Sequence, residues 1–174
     1  MLIRAYGELW NPDIIDWGSP GAGNKGKLIG IVPIAEGKHE IDFFEANGIY
    51  VLYNEYRAVY VGKADDSSIG SRLRTHLSDR LAGRWDMFSW YSITKINKTT
   101  KTLAKKPESR GASTSDIIAT LEALAILISE PAQNRKREGI PGATEAVQKD
   151  QPNPMTIRAY LQKILDGIEK TPSS

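Results

Sequence analysis

Alternating apolar and polar positions in the first quarter of the chain predict short β-strands. The runs are LIRAY, KLIGIV and HEIDFF, at residues 2–6, 27–32 and 39–44, and a glycine-rich loop, GSPGAGNKG, precedes the second run. Such alternation between turn signals is typical of half-buried strands. We therefore expect residues 1–46 to form a β-rich amino-terminal extension.

A second pattern, GIYVLYNEYRAVYVGKA at residues 48–64, predicts a β-hairpin, and MFSWYSI at residues 87–93 predicts a third strand beside it. A three-residue loop at 54–56 would make Tyr50 the direct cross-strand neighbour of Tyr60, on the same face. A two-residue loop would shift the register by one and place the two tyrosines on opposite faces. The segment lacks the glycine that three-residue loops favour, but a five-residue loop at 53–57 preserves the same pairing. We therefore expect an odd-numbered loop, with both tyrosines on one face.

Helical periodicity predicts three further elements. Residues 68–82 carry a leucine every fourth position, residues 113–130 are apolar nearly all round and end before Pro131, and residues 155–170 have one apolar face. The leucines of the first helix, Leu73, Leu77 and Leu81, are expected to form its buried stripe. The lysine-rich stretch between the third strand and the second helix is expected to be an exposed loop or a short appended element.

These elements predict an α+β fold built on a small, three-stranded, mainly antiparallel sheet flanked by helices. The extension at 1–46 would be followed by a core at 47–140, and residues 141–174 would supply a linker and the carboxy-terminal helix. A chain of 174 residues is long enough to bury one substantial core.

Composition narrows the chemistry. The chain has no cysteine and two histidines, which excludes disulfides and makes a zinc site improbable. No apolar run approaches the ~20 residues that span a bilayer, and the first residues lack the layout of a secretory signal. We therefore expect a cytoplasmic protein that does not engage a membrane.

The net charge of +2 hides a basic middle third. Residues 60–110 hold 11 basic and 5 acidic side chains, a local net charge of +6. Such an excess favours a polyanionic partner, because neutralised phosphates release counterions, although a solvated face is the simpler alternative. The candidate phosphate-binding residues are Lys63, Arg74, Lys95, Lys98, Lys101, Lys105, Lys106, Arg135 and Arg137. Trp85 and Trp90 are expected to be buried rather than to stack on bases.

Three positions stand out as candidate chemistry. Arg72 and His76 are spaced i, i+4 on the first predicted helix and should share a face. Glu122 lies among aliphatic residues, where a carboxylate is costly unless it is paired, hydrogen-bonded or bound to a cation. A salt bridge to an arginine and a divalent-metal site are both open for Glu122, and a lone carboxylate with water and phosphate ligands suits Mg²⁺.

In order along the chain, the segments Gly48-Ile49-Tyr50, Tyr60-Val61-Gly62-Lys63-Ala64, Arg72-Leu73-Arg74-Thr75-His76, Glu122 and Asn134 resemble the GIY-YIG nuclease family. The resemblance covers residues 47–138. Its second triplet is Tyr-Val-Gly instead of Tyr-Ile-Gly, and the insertion before the second helix is longer than in minimal members. It implies a phosphodiester hydrolase and says little about the target that is chosen.

The resemblance also implies roles for individual residues. Glu122 would hold one divalent ion, Mg²⁺ or Mn²⁺, on the leaving-group side. Tyr50 would position and deprotonate the attacking water with help from His76, and Tyr60 would hydrogen-bond the water or the phosphate. The remaining roles are transition-state stabilisation by Arg72 with Lys63 in support, and local orientation by Asn134.

A tyrosine base sets a condition on pH. Only about one part in 10³ of an unperturbed phenol is ionised at pH 7, so nearby cations such as Arg72 and Lys63 would have to favour the phenolate. We expect an alkaline optimum if Tyr50 is the base.

The predicted function is metal-dependent endonuclease cleavage of DNA, and several alternatives stay open. The chain could be a catalytically silent nucleic-acid-binding module, a structure-specific nuclease or an RNA-directed one, and it could be a monomer or a homodimer. Pro12-Asp13 followed by Glu36-Gly37-Lys38 matches another nuclease spacing, but Glu36 is predicted to lie in a turn. The GxGxxG match from Gly21 to Gly26 precedes a strand rather than a helix, which argues against a dinucleotide site.

Overall fold

The computed structural model describes residues 2–19, 23–35, 37–105, 111–129 and 139–150. Within these ranges the α+β prediction is confirmed, with β-strands predominating over two α-helices. In chain order the strands are β1 (Ala5–Trp10), β2 (Ile29–Ile34), β3 (Gly37–Asp42), β4 (Gly48–Asn54), β5 (Arg57–Ala64), β6 (Met87–Ser92), β7 (Ile96–Asn97), β8 (Thr102–Leu103), β9 (Thr144–Glu145) and β10 (Val147–Gln148). The helices are α1 (Ile69–Thr75) and α2 (Thr114–Ser129), and Pro12–Ile14 forms a single 3₁₀ turn.

The central sheet has five strands in the order β5-β4-β6-β1-β9. Strands β5, β4 and β6 form the predicted three-stranded antiparallel sheet, and β1 continues it antiparallel to β6. Strand β9 pairs parallel to β1 at the far edge. Segments on both sides of the predicted core thus contribute strands to the same sheet.

The two faces of the central sheet bury different clusters, because successive side chains of a strand point to opposite sides. The first, here called the Tyr50 face, carries Trp10, Tyr50, Leu52, Phe88 and Trp90 and is covered by α1. The second, the Tyr53 face, carries Tyr6, Val51, Tyr53 and Tyr91 and contacts Leu127 of α2.

A second, three-stranded sheet, β10-β2-β3, also packs on the Tyr50 face. The ring of Phe43, which follows β3, lies 4.5 Å from that of Trp90, measured between centroids. Trp85 and Trp90 are 8% and 0% exposed, so their predicted burial is confirmed. The lysine-rich stretch contains a small hairpin, β7-β8, which contacts β3.

The register of the β4-β5 hairpin differs from the prediction. Tyr50 pairs with Gly62, and Tyr60 pairs with Leu52, so the two tyrosines are diagonal rather than directly opposed. The loop has two residues, and a two-residue loop alone would place the two tyrosines on opposite faces. The register shifts after Leu52, however, and leaves Val59 as an extra, unpaired residue in β5. This bulge restores the parity, and the predicted same-face placement is confirmed.

Both helices are less buried than predicted. Helix α1 ends at Thr75 instead of continuing to residue 82, so Leu77 leaves the leucine stripe and is 40% exposed. Helix α2 buries one side only, and Ile118 and Leu121 are 60% and 62% exposed. The predicted carboxy-terminal helix at 155–170 lies outside the described residues.

The hairpin turn offers a test of backbone strain. Glu55 and Tyr56 have φ values of 48° and 64°, as a type I′ turn requires, yet neither is glycine. Tyr56 is 73% exposed and loses little packing when replaced. We expect Tyr56→Gly to raise the free energy of unfolding by about 1 kcal/mol in urea denaturation, because glycine carries no Cβ penalty at positive φ. Ala58→Gly, at an exposed position of β5, is the control and should lower it; a loss of stability in both variants would contradict this account.

Candidate active site

Tyr50 lies at the centre of the candidate site and is almost fully buried. Its side chain is 1% exposed, and its ring lies over Gly62 on the neighbouring strand. A Cβ atom added to Gly62 would lie 2.3 Å from both the Tyr50 hydroxyl oxygen and Cζ, far inside van der Waals contact. The glycine of the second motif triplet therefore provides the space that the first motif's tyrosine occupies.

His76 reaches Tyr50 from the end of α1. Ser68 caps the helix by accepting a hydrogen bond from the Ser71 amide, and the amides of Ile69 and Gly70 donate to carbonyls of the segment before β4. These bonds anchor the helix to the sheet. His76 is the C-cap, donates its backbone N–H to the Arg72 carbonyl, and is 7% exposed.

A hydrogen-bonded chain links three side chains. The Tyr50 hydroxyl oxygen lies 2.7 Å from Nε2 of His76, and Nδ1 of His76 lies 2.7 Å from Oδ2 of Asp79. The other oxygen of Asp79, Oδ1, accepts a hydrogen bond from the Leu81 amide at 2.8 Å. The Leu81 amide and, secondarily, His76 hold the pKa of Asp79 below its usual value, so the carboxylate is ionised.

Sequence reasoning missed Asp79. The available signal was a carboxylate three residues after a candidate histidine, in a segment that the leucine repeat assigned to a continuing helix. Because α1 ends at Thr75, Asp79 lies in a turn, where its side chain can bond both the histidine and the Leu81 amide.

Tyr60 completes an aromatic cluster around the histidine. Its ring centroid lies 6.2 Å from that of Tyr50 and 5.1 Å from that of His76, and it is half-buried. The Arg80 guanidinium lies 5.9 Å from the Tyr60 ring, and Arg72 is exposed beside the cluster. Tyr50, Tyr60, His76 and Arg72 are thus brought together as the motifs predict.

The electrostatic environment keeps Tyr50 protonated. Burial is the main cause that raises the pKa of Tyr50 well above its usual value, and the neighbouring Tyr60 adds to it. Arg72 acts in the opposite direction, as expected, but its effect is smaller than that of burial. Arg72 thus favours the phenolate as expected, but burial outweighs it, so Tyr50 stays protonated and any proton leaving Tyr50 needs an acceptor.

Glu122 is not part of this cluster. It is exposed, on the side of α2 that points away from the sheet, and α2 itself packs on the Tyr53 face. The prediction that the Glu122 carboxylate is buried among aliphatic side chains is therefore wrong. The side chains do not fit the divalent ion in the way that the resemblance implies, because Glu122 and Tyr50 lie on opposite sides of the sheet. Among the described residues no group of three or more histidine, aspartate or glutamate side chains forms a metal-binding cluster.

The predicted basic residues are dispersed. Lys63 makes an exposed ion pair with Asp65, with Nζ 2.6 Å from Oδ2, and Arg74 contacts the Lys25 carbonyl. Lys95, Lys98, Lys101 and Lys105 are exposed on and around the β7-β8 hairpin. Lys101 and Lys105 border a surface cavity of about 670 Å³ that is also lined by acidic Glu40 and Asp42. Lys106, Asn134, Arg135 and Arg137 lie outside the described residues.

The alternative nuclease motif, Pro12-Asp13 followed by Glu36-Gly37-Lys38, gains no support from the described residues. Asp13 lies exposed in the 3₁₀ turn instead of on a strand, and Lys38 lies in β3. Glu36 and Gly21, on which the two alternative motifs depend, are outside the described part of the chain.

Comparisons with protein families, curated proteins and solved structures found no match for this chain. No helix in the described ranges is long and apolar enough to cross a membrane. The resemblance to GIY-YIG nucleases therefore stays a prediction that depends on the motifs themselves.

The close approach at Gly62 is testable. Gly62→Ala places a methyl group where the Tyr50 ring lies, so we expect a loss of about 1–3 kcal/mol in the free energy of unfolding, measured by urea denaturation. Gly111→Ala is the matched control, because an added Cβ there meets no atom within 4 Å. Equal stability of the two variants would show that the Tyr50 ring lies elsewhere.

Burial of the tyrosines also predicts a pH dependence of stability. Burial raises the pKa of three tyrosines, Tyr6, Tyr50 and Tyr91, above the usual value of a phenol. The pKa of Tyr6 is raised to about 12. Above pH ~10 the unfolded chain has lost phenol protons that the folded chain retains, so stability falls as pH rises. The stability that these groups contribute is fully present below this pH.

In Tyr50→Phe the slope of unfolding free energy against pH should be shallower by up to about 1.4 kcal/mol per pH unit between pH 10 and 11. Urea denaturation at several pH values measures it. Tyr56→Phe, at an exposed position, serves as the control and should keep the wild-type slope. An unchanged slope in Tyr50→Phe would contradict the buried, protonated phenol.

Proposed function

We propose that this protein is an endonuclease that hydrolyses phosphodiester bonds in DNA at the cluster of Tyr50, Tyr60, Arg72 and His76. The observation that carries the proposal is the 2.7 Å contact between the Tyr50 hydroxyl and Nε2 of His76, made between two elements that the GIY-YIG-like motifs single out. A phenol bonded to an imidazole, with arginines beside it, can move a proton and meet a phosphate charge in the same place.

The chemistry follows from the protonated state of Tyr50. In the proposed step a water oxygen attacks phosphorus, and the water proton passes to the Tyr50 oxygen as the Tyr50 proton passes to Nε2 of His76. The bond from phosphorus to the leaving oxygen breaks, and that oxygen takes a proton from solvent. A neutral tyrosine thus acts with a neighbouring base instead of as a free phenolate.

Arg72 and Arg80 supply positive charge for the phosphate. Arg72 is exposed next to Tyr50, and the Arg80 guanidinium lies over the ring of Tyr60. Guanidinium groups match the geometry of phosphate oxygens and stabilise the additional charge of the transition state. Because Tyr50 is 1% exposed, a water molecule reaches its oxygen only after a neighbouring side chain moves, and half-buried Tyr60 is the side chain proposed to move.

DNA is proposed as the substrate because of the basic middle third of the chain. Exposed lysines around the β7-β8 hairpin and the arginines of α1 present positive charge at the surface. Such contacts bind the phosphate backbone and do not by themselves select a base sequence. A cytoplasmic location is part of this proposal.

A silent nucleic-acid-binding module is the second candidate, and two observations favour it. Tyr50 is nearly inaccessible, and Glu122, the metal ligand that the resemblance implies, lies on the opposite side of the sheet. A protein that kept the aromatic cluster as a structural core would bind DNA through its surface cations without cutting it.

Plasmid nicking distinguishes these functions. With Mg²⁺ or Mn²⁺ present, we expect the wild-type protein to nick supercoiled DNA, and Tyr50→Phe to lower the rate by about 10²- to 10⁴-fold through loss of the proton-transferring oxygen. Tyr53→Phe is the matched control, since it makes the same change on the same strand but on the other face. It should cut at close to the wild-type rate.

Glu122→Gln tests the placement of α2 in the same assay. Its exposed position predicts near wild-type cleavage, whereas a loss as large as that of Tyr50→Phe would mean that Glu122 acts at the reacting phosphate as the resemblance implies. Chelation by EDTA reports metal dependence separately. Parallel single-stranded, duplex, branched and RNA substrates define the target, and DNA binding with no cleavage of any substrate would support the silent module.

A further inference from the structure

The turn that follows α1 places one carboxylate between the histidine and the backbone. Asp79 uses its two oxygens differently: Oδ1 accepts from the Leu81 amide at 2.8 Å, and Oδ2 lies 2.7 Å from Nδ1 of His76. The Leu81 bond fixes the orientation of the carboxylate, because a backbone N–H can only donate. Oδ2 is therefore held facing the imidazole.

This arrangement selects one tautomer of the imidazole. An ionised carboxylate is an acceptor only, so Nδ1 of His76 must carry the proton that is donated to Oδ2. In a neutral imidazole the other nitrogen, Nε2, is then an acceptor, and its partner at 2.7 Å is the Tyr50 hydroxyl. The Tyr50 proton thus points at the one atom of the cluster that can receive it.

We propose that Asp79 is a positioning residue that holds His76 with its proton on Nδ1, so that Nε2 can accept the proton of Tyr50 during phosphodiester cleavage. The inference rests on the proposed nuclease function for its catalytic consequence, but the tautomer itself is a property of the folded protein. The same division of labour, in which a carboxylate orients a histidine that takes a hydroxyl proton, occurs in hydrolases of unrelated folds.

Other groups that face His76 do not fix its tautomer. Tyr50 and Tyr60 approach from β4 and β5, and their hydroxyls can either donate or accept. Arg72 precedes it on α1, and Arg80 lies over Tyr60; neither guanidinium forms a hydrogen bond with the ring that is seen in the described residues. Among these neighbours the Asp79 carboxylate alone is restricted to accepting.

Asp79→Asn is the informative substitution. If Oδ1 of the new amide keeps the bond from Leu81, the group that replaces Oδ2 is an NH₂, which can only donate to Nδ1. His76 must then carry its proton on Nε2 and donate to the Tyr50 oxygen. The fold and both hydrogen bonds survive, but the direction of proton transfer is reversed.

Nitrogen-15 NMR reads the tautomer directly. The chain has only His39 and His76, so long-range imidazole correlations are assigned with a His39→Gln variant. At pH 8 we expect the Nδ1–H tautomer in the wild type and the Nε2–H tautomer in Asp79→Asn, with Asp79→Glu restoring the wild-type pattern. Asp86→Asn, which alters another aspartate that accepts from a turn amide, is the control and should leave His76 unchanged.

The cleavage assay supplies the catalytic readout. We expect Asp79→Asn to lower kcat by about 10²- to 10⁴-fold with KM nearly unchanged, as is general when an orienting carboxylate is lost. Asp86→Asn should retain the wild-type kcat.

The two proposals fail in distinguishable ways. A wild-type protein that shows the Nδ1–H tautomer but cuts no nucleic acid would refute the nuclease function and leave the role of Asp79 in orienting His76 intact. An unchanged tautomer in Asp79→Asn, or an imidazolium that persists in the wild type at pH 8, would overturn the assignment of Asp79. Normal kcat in a tautomer-shifted variant would overturn its catalytic consequence.

Discussion

The packing of the Tyr50 ring against the bare backbone of Gly62 is the contact on which the candidate site depends. It requires the two residues to be paired across β4 and β5, and this pairing also brings Tyr60 to the same face. With the far end of the ring over the glycine, the Tyr50 hydroxyl lies 2.7 Å from Nε2 of His76 at the end of α1. A side chain at residue 62 would displace the Tyr50 ring from the sheet, and the Tyr50 hydroxyl would then move away from His76.

The sequence predicted the parts of this structure that depend on local periodicity. The α+β class and the three antiparallel strands follow from hydrophobic periodicity, and the i, i+4 spacing places Arg72 and His76 on one face. That these two residues lie close to Tyr50 and Tyr60 is what the resemblance to GIY-YIG nucleases implies. The hairpin register did not follow, because two errors cancelled: the loop is shorter than expected and a bulge at Val59 compensates. Bulges depend on tertiary packing and leave little trace in a single sequence.

Long-range placement was harder to predict than local structure. The aliphatic neighbours of Glu122 in the sequence predict a buried carboxylate, yet Glu122 is exposed on α2, as are Ile118 and Leu121. A helix that is apolar nearly all round has no periodicity to show which side meets the sheet. Asp79 was missed for the opposite reason, since the leucine spacing suggested one continuous helix where the chain forms a turn at the site.

Strand β1 has a consequence for the modularity of the chain. It lies between β6 and β9, so the amino-terminal segment and a segment after α2 are joined through the same row of backbone hydrogen bonds. If residues 47–140 were expressed alone, β6 would become an unpaired edge strand, and the backbone amides and carbonyls beside Trp90 and Tyr91 would lose their partners on β1. The motif-bearing segment is therefore the middle of a sheet rather than a cassette, and any fusion or transplantation of the candidate site has to carry both flanks with it.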